Sequence, residues 1–306
     1  MACYYPLKGF RSKKPTENGK YQITFNPNLG YLDMPMTVNC GQCIGCRLER
    51  SRQWAIRCVH EAQLHDENMF LTLTFDDEHL DPVGSLRKED FQKFMKRLRK
   101  KIYPKKVKYF HCGEYGEKFA RPHHHAIIFG YEFPDKEICK INHNGDHLYR
   151  SGMLDDLWPF GFAVIGNVTF ESAAYVARYI TKKQNGHKAL DHYDTQFYDK
   201  KTGEVIRREP EYCTMSRRPA IAKDWYKKFG NEVHDYDEII LRDKKMRPPR
   251  YYDKLLEKER PLRYEQIKSQ RKNIAERFTE DKTPARLQAR EYLQKLRFKQ
   301  LKRSYE

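Results

Sequence analysis

Three consecutive histidines precede an apolar run, Ala126-Ile127-Ile128-Phe129, whose length and β-branched content predict a buried strand. Alternate side chains of a strand point to the same face, so His123 and His125 project together while His124 points away. Two imidazoles on one face could bind a metal ion, and they are equally compatible with ordinary polar surface. The pair alone therefore predicts a candidate metal site but no reaction.

Glu114 could complete this set with a carboxylate. It lies upstream of His123 at the distance of a strand end, a turn and the start of the neighbouring hairpin strand. Two nitrogens and one carboxylate oxygen suit Mn²⁺ or Mg²⁺, acting as a Lewis acid on a phosphoryl oxygen. The expected ligands are His123, His125 and Glu114.

A pair of tyrosines, Tyr175 and Tyr179, lies on a predicted helix at a spacing that puts both on one face, about 6 Å apart along the axis. A phenol with an ordinary pKa of about 10 needs a nearby cation to act as a nucleophile. A metal-held phosphate, with Arg178, Lys182 and Lys183 close in sequence, would provide that field. Attack on a phosphodiester would form a phosphotyrosine, release a sugar hydroxyl and remain reversible. Such pairs are also common packing residues.

The charge of the chain favours a nucleic-acid partner. Its 59 Lys and Arg residues exceed the 42 Asp and Glu residues, which gives a net charge of +17 and a pI near 9.4. A membrane surface is the second candidate, although no apolar run is long enough to span a bilayer and no signal peptide is recognisable. Purely structural basic proteins share this composition, so the charge predicts a partner and not a chemistry.

The eight cysteines are expected to be reduced thiols or metal ligands, because the chain carries no secretory signal. Two successive Cys-x-x-Cys steps, at Cys40, Cys43 and Cys46, could surround one tetrahedral ion, with Cys3 or Cys58 as the fourth ligand. Structural zinc, an iron–sulfur cluster and ordinary reduced cysteines are the three interpretations. The predicted compartment is the cytoplasm.

The predicted elements indicate an α+β fold with a central antiparallel sheet and helices packed on one of its faces. Strands are expected at 70–75, 107–112 and 162–170 and at the histidine segment; residues 135–150 are expected to be a polar loop. Helices are expected over 47–65, whose arginines form either phosphate contacts or a solvated face, after an N-cap at Ser85, and over 171–183. The predicted domains are a cysteine-rich segment and helix (1–65), a core (66–184), a basic extension packed on the core (185–245) and a charged helical tail (246–306).

Three segments resemble the motifs of the HUH endonucleases, in their usual order: Phe70-Leu71-Thr72-Leu73-Thr74, Arg121-Pro122-His123-His124-His125 and Tyr175-Val176-Ala177-Arg178-Tyr179. The paired tyrosines are similar to those of the rolling-circle replication initiators of microviruses. The segment from Cys40 to Trp54 and that from Met215 to Pro219, which includes Arg217 and Arg218, resemble the gokushovirus branch in particular. The resemblance extends to about Trp225.

The resemblance implies a ferredoxin-like HUH core in which His123, His125 and Glu114 hold the metal and Tyr175 and Tyr179 are the nucleophiles. The implied activity is nicking of origin DNA, single-stranded or supercoiled, with a 5′-phosphotyrosine, a 3′-hydroxyl primer and later religation. Host polymerase and helicase would be partners, in the cytoplasm of a bacterial host. The chain departs from the pattern at His124, where a hydrophobic residue is usual, and at Arg178, where lysine is frequent.

Two other functions fit the same residues. A relaxase or transposase would use the same chemistry on a different DNA substrate. A non-catalytic, zinc-containing nucleic-acid-binding protein would instead keep both tyrosines in its core.

Overall fold

The computed structural model describes residues 3–81, 84–116, 119–142, 145–182, 196–198 and 205–300. Contacts divide the chain into two compact units, one formed by residues 1–49 and 271–302 and the other by residues 50–270 and 303–306. Each unit is described by itself. No helix in the described ranges is long and apolar enough to cross a membrane.

The elements are numbered in chain order. The strands are β1 Leu7–Pro15, β2 Tyr21–Thr24, β3 Gly30–Val38, β4 Asn68–Phe75, β5 Lys108–Tyr115, β6 Pro122–Phe129, β7 Glu137–Ile141, β8 His147–Arg150, β9 Gly161–Gly166, β10 Gln196–Tyr198, β11 Val205–Arg207, β12 Tyr212–Met215, β13 Ile239–Leu241 and β14 Lys244–Met246. The helices are α1 Ile44–Ala62, α2 Lys88–Lys101, α3 Gly152–Leu157, α4 Phe170–Lys182, α5 Lys223–Tyr236, α6 Arg250–Glu259, α7 Pro261–Glu276 and α8 Pro284–Lys299.

The larger unit is built on a seven-stranded sheet with the order β12-β5-β6-β4-β9-β8-β7. Its described strand pairs are all antiparallel. The predicted α+β fold with a central antiparallel sheet is therefore confirmed. The histidine strand β6 lies near the middle of the sheet, between β4 and β5, which protects it on both edges.

Helices cover both faces of this sheet, so the prediction of helices on one face was wrong. Phe70, Phe110 and Ile127 belong to a core that includes residues of α1, α4, α5 and α6. The alternate residues Leu71 and Ile128 belong to a second core with α2 and α3. Both sets of side chains on β4 and β6 are apolar along much of the strand, and each apolar face is covered by helices.

The prediction of a polar loop at 135–150 was also wrong, because β7 and β8 form an antiparallel hairpin there. Every residue of β7 is exposed, and β7 is the edge strand of the sheet. An edge strand carries polar side chains without losing its backbone pairing, which hides the strand from a hydrophobicity pattern.

The smaller unit contains a three-stranded antiparallel sheet with the order β2-β1-β3. Beside it, Tyr4, Cys43 and Leu287 of α8 form a small buried cluster. The predicted helices of the tail are present as α7 and α8, with Pro284 at the first turn of α8. Ile274 and Phe278 were expected to face inward, but they are 50% and 57% exposed.

Candidate active site and cysteine cluster

The strand register brings the predicted metal ligands together. On β6, His123 pairs with Glu114 of β5, and His125 pairs with Cys112. Residues paired directly across two strands share a face, so Glu114 and His123 are neighbours on the face that also carries His125. Glu114 lies inside a strand, whereas the sequence placed it in a turn beyond the strand end.

His125 is fully buried and held at both ring nitrogens. Its Nε2 lies 2.9 Å from Oε1 of Glu114, and its Nδ1 lies 3.0 Å from the hydroxyl of Thr72 on β4. A hydrogen bond at one ring nitrogen fixes the orientation of the ring and leaves the other nitrogen for a ligand. Sequence reasoning missed this role of Thr72, although alternation with Leu71 and Leu73 places it on the histidine face.

His123 contributes a second imidazole to this face. Its Nδ1 lies 2.5 Å from the backbone carbonyl of Arg121, and its ring centroid lies 6.2 Å from that of His125. Two imidazoles and a carboxylate are donors that fit Mn²⁺ or Mg²⁺. Their ligand atoms are spread more widely than 4.8 Å, since within the described ranges only the cysteine cluster below has ligand atoms all that close. Coordination of one ion by all three would therefore require a side-chain movement.

His124 lies on the opposite face of the sheet, as strand alternation predicts. Its Nδ1 lies 3.2 Å from Nε2 of His111, and its ring packs against Phe75 and Trp158. Burial lowers the pKa of His124 to about 3, so the ring is neutral at physiological pH. His124 is thus a core residue, separated from the candidate ligands by the sheet itself.

Helix α4 places Tyr175 over the histidine face. The helix begins with a reciprocal cap, in which the N–H of Thr169 donates to the Ser172 hydroxyl at 2.8 Å and the N–H of Ser172 donates to the Thr169 hydroxyl at 3.1 Å. The ring of Tyr175 lies 5.3 Å from that of His125, edge to face, and 6.2 Å from that of Phe70.

The predicted cations are only partly described. The guanidinium carbon of Arg178 lies 5.8 Å from the centre of the Tyr175 ring. Tyr179 follows Tyr175 by one helical turn of α4, but its side chain and that of Lys182 lie outside the described part of the structure, as does all of Lys183.

The structure does not bring Arg217 and Arg218 to this site. Both are exposed and follow β12, whose last residue, Met215, pairs with Phe110 of β5. The adjacent Ser216 N–H donates to the carbonyl of Tyr109, which lies five residues from Glu114, or roughly 17 Å along a strand. These two arginines therefore lie near the other end of β5.

An open cavity of about 290 Å³ extends from His123 across the same face of the sheet. Thr72 and Thr74 form part of its floor, Phe162 of β9 lines it with 64% of its surface exposed, and Lys140 lines it from the β7–β8 hairpin. The cavity is wide enough for part of a nucleotide, and an exposed aromatic ring is a surface on which bases stack. It was missed from the sequence together with the hairpin.

The cysteine cluster in the smaller unit consists of Cys3, Cys40, Cys43 and Cys46, whose sulfur atoms all lie within 4.8 Å of one another. The fourth member is Cys3, because Cys58 is buried in the hydrophobic core of the larger unit. Two of the sulfur pairs are 4.0 Å apart. A disulfide requires about 2.05 Å, whereas Zn–S bonds of about 2.3 Å place tetrahedral sulfurs roughly 3.8 Å apart.

Backbone amides point at these sulfurs. The N–H of Cys40 donates to Cys3 at 3.2 Å, that of Cys43 to Cys40 at 3.3 Å, and that of Tyr4 to Cys43 at 3.4 Å. Burial raises the pKa of the Cys43 thiol, but the hydrogen bonds from Tyr4 and Cys46 outweigh it and lower the pKa to about 7. Because thiolates are the form that binds metal, this cluster could hold a metal such as Zn²⁺.

Residues 68–184 match the family described as Replication-associated protein ORF2. The replication-associated protein VP4 of Bdellovibrio phage phiMH2K is 36% identical over 289 residues, which cover 90% of this chain and 85% of that protein. The chain belongs to this family of microvirus-type phage replication proteins. The predicted membership is thus confirmed.

Other members of the family show the same extent of similarity. The replication-associated protein ORF2 of Spiroplasma virus 4 is 29% identical over 90% of this chain and 88% of its own length. The replication-associated protein ORF4 of Chlamydia phage 1 is 31% identical over 82% of this chain and 62% of its own length. No solved structure matches the chain. The family match includes Glu114, the histidines and both tyrosines, but neither the cysteine cluster nor Arg217 and Arg218.

Proposed function

We propose that this replication protein is a metal-dependent DNA nickase and strand transferase with a ferredoxin-like HUH core. It cuts one strand of origin DNA through a tyrosine, leaves a 3′-hydroxyl that primes rolling-circle synthesis, and later rejoins the strand. The observation that carries the proposal is the position of Tyr175, whose ring lies 5.3 Å from that of His125 on the face that also holds Glu114 and His123. Membership of a replication protein family supports DNA as the substrate.

In the proposed reaction, the phenol oxygen of Tyr175 or Tyr179 attacks the scissile phosphorus. The bond from phosphorus to the 3′-oxygen breaks, the 5′-phosphate becomes attached to tyrosine, and the phenol proton leaves to solvent or a base. A divalent ion at His123, His125 and Glu114 would withdraw charge from the phosphoryl oxygens. Because the phosphotyrosine retains the energy of the cleaved linkage, a 3′-hydroxyl can attack it and restore the strand.

The surrounding residues support distinct parts of this chemistry. Thr72 orients the imidazole of His125, and the positive charge of Arg178 near Tyr175 favours a phenolate over a neutral phenol. The two tyrosines would alternate, one holding the old 5′ end while the other cuts the regenerated origin. Host polymerase and helicase would extend and unwind the strand.

Trapping of a covalent adduct tests the proposal. The full-length chain is incubated with single-stranded oligonucleotides that tile a candidate origin, with Mg²⁺ or Mn²⁺, and adducts are separated under denaturing conditions. We expect a metal-dependent adduct that survives Tyr175→Phe or Tyr179→Phe alone and disappears in the double variant. Tyr236→Phe, at a position that is 76% exposed on α5, is the matched control and should retain the adduct.

Persistence of the adduct in the double variant would refute the assignment of the nucleophiles. Absence of any adduct, with tight binding of the same oligonucleotides, would instead favour a non-catalytic nucleic-acid-binding protein.

A further inference from the structure

A second concave surface of the larger unit is lined by cations. It measures about 310 Å³ and lies between α1 and α6. None of its lining residues is acidic. They are Arg50, Gln53, Trp54, Arg57, Arg250, Tyr251 and Lys254, and they are called the arginine pocket below.

Arg57 is the centre of the arginine pocket and is unusual for a buried charge. It is only 9% exposed, and its guanidinium lies flat between two rings, 4.0 Å from the centre of Trp54 and 3.9 Å from the centre of Tyr251. Within the described ranges, no carboxylate forms a salt bridge with it. Burial lowers the pKa of Arg57, which reflects the cost of holding this cation away from water.

The acid one helical turn further along α1 does not neutralise Arg57. Glu61 is paired with Lys108 at 2.8 Å and accepts the N–H of Ala222 at 2.6 Å. Arg57 instead donates from Nε and Nη2 to the carbonyl of Ile221, at 3.3 and 2.9 Å. Its Nη1 has no protein acceptor in the described chain and is not among the buried unsatisfied atoms, so it reaches solvent.

Two further cations are available at the rim. The side chains of Arg250 and Lys254 are exposed and form no salt bridge with any carboxylate in the described ranges. The N–H of Arg250 donates to Oε1 of Gln53 at 3.1 Å, which fixes the first turn of α6 against α1. The pocket is therefore assembled without a ligand, which lowers the entropic cost of binding one.

The chemistry of these groups selects a phosphate. A planar guanidinium with flexible cations around it matches a phosphate group with several anionic oxygens. Base stacking on Trp54 is excluded by its neighbours, since its ring is covered by Arg57 and by Phe110, whose centroid is 5.0 Å away. The arginine pocket should therefore recognise the phosphate without reading the base.

We propose that the arginine pocket binds a backbone phosphate of the DNA strand away from the scissile bond. Phe110, beneath Trp54, and Glu114 are four residues apart on β5, or roughly 14 Å along the strand, and both belong to the face of the sheet that carries Tyr175. A strand held at both places would be fixed in register at the active site. The inference rests on the proposed DNA substrate but not on the nicking chemistry.

Two matched double variants test the inference. Arg250→Ala with Lys254→Ala removes two positive charges from the pocket, and Lys258→Ala with Arg260→Ala removes two from the other end of the same helix and its cap. Binding of a fluorescent single-stranded oligonucleotide of arbitrary sequence is measured by anisotropy at several salt concentrations, on the full-length chains. We expect the pocket variant to bind at least about tenfold more weakly, with a salt slope lower by about 0.7 for each phosphate that is no longer neutralised. The control variant should stay within about twofold of wild type.

Equal affinities of the two double variants, with unchanged circular dichroism, would overturn the proposal. Binding of labelled ATP that the pocket variant abolishes, without any change in oligonucleotide affinity, would also overturn it and assign the site to a free nucleotide. Failure of the wild-type chain to form an adduct would refute nicking while leaving this comparison of affinities intact.

Discussion

The cysteine cluster and the histidine–glutamate site use their candidate ligands in opposite ways. Four sulfurs within 4.8 Å of one another, each drawn from a short N-terminal stretch, form a closed set that already has the size of a zinc tetrahedron. His123, His125 and Glu114 form an incomplete set, in which Glu114 hydrogen bonds to His125 and a cavity begins at His123. Closed sites hold a fold together, whereas open sites leave positions for a substrate. The difference assigns the first to stability and the second to chemistry.

The largest effect that would test this contrast is removal of the cysteine-bound metal. Structural zinc contributes on the order of 10 kcal/mol to folding in small zinc domains. We expect Cys43→Ser, or a strong chelator, to expose the amides of residues 3–49 to rapid hydrogen exchange while β4 and β6 stay protected. Elemental analysis should find one zinc per wild-type chain.

Cys139→Ser is the matched control, because Cys139 is exposed and remote from the cluster in sequence. It should keep both the zinc and the exchange pattern. Wild-type protein that contains neither zinc nor iron would contradict the closed-site half of the comparison.

At the open site, loss of a ligand should stop the reaction and leave the fold intact. We expect His125→Ala to reduce nicking by more than about 100-fold, since a Lewis acid contributes several kcal/mol to the transition state. Affinity for the oligonucleotide and zinc content should be unchanged. Efficient nicking by this variant would show that the reactive centre has been placed wrongly.

Thr72 offers a smaller perturbation of the same site. Thr72→Val keeps the shape of the side chain but removes the hydroxyl that lies 3.0 Å from Nδ1 of His125. We expect the Mg²⁺ or Mn²⁺ concentration for half-maximal nicking to rise about 10- to 100-fold, the usual effect of losing such a supporting bond. Thr74→Val, on the same face of β4 but pairing with His123, is the control. A shift of equal size in both variants would remove the specific role of Thr72.

Acid should weaken the fold independently of either metal site, through His60. Burial lowers its pKa to about 3, below the value near 6.5 of an unfolded histidine. The stability that the neutral ring contributes is complete above about pH 6.5 and is lost as the pH falls toward 3. Protonation of the unfolded chain should cost about 3 kcal/mol between pH 6.5 and 4.

Denaturant unfolding across this pH range measures that loss. His60→Phe should reduce it by about this amount, whereas His147→Phe, at an exposed position on β8, should follow the wild-type curve. Identical pH dependence of wild type and His60→Phe would show that the ring is not held neutral in the fold.

The sequence predicts the centre of the larger unit well because the signal there is dense. β4, β6 and α4 combine apolar alternation or helical periodicity with chemically distinctive residues, so both the elements and the grouping of His123, His125 and Tyr175 follow from spacing. The strand position of Glu114 does not follow, because Gly113 and Gly116 are typical of a turn.

Features that depend on tertiary contacts could not be predicted. Ser85 has the residue type of an N-cap, but its hydroxyl accepts the N–H of Glu209, and α2 begins two residues after Leu86 with Arg87 as cap. The arginines of α1 could be either solvated or phosphate-binding from periodicity alone. Only the packing of α6 against α1 buries Arg57 between two rings and forms a pocket around it.

Mass spectrometry of a trypsin digest of the trapped adduct tests the central claim most directly. Cleavage after Arg178 separates the two tyrosines, because Tyr175 falls in the peptide 151–178 and Tyr179 in the peptide 179–182, and neither peptide contains a second tyrosine. The account predicts a nucleotide phosphate on one or both of these peptides and on no other. A nucleotide on a different residue, or cleaved DNA without any modified peptide, would contradict it.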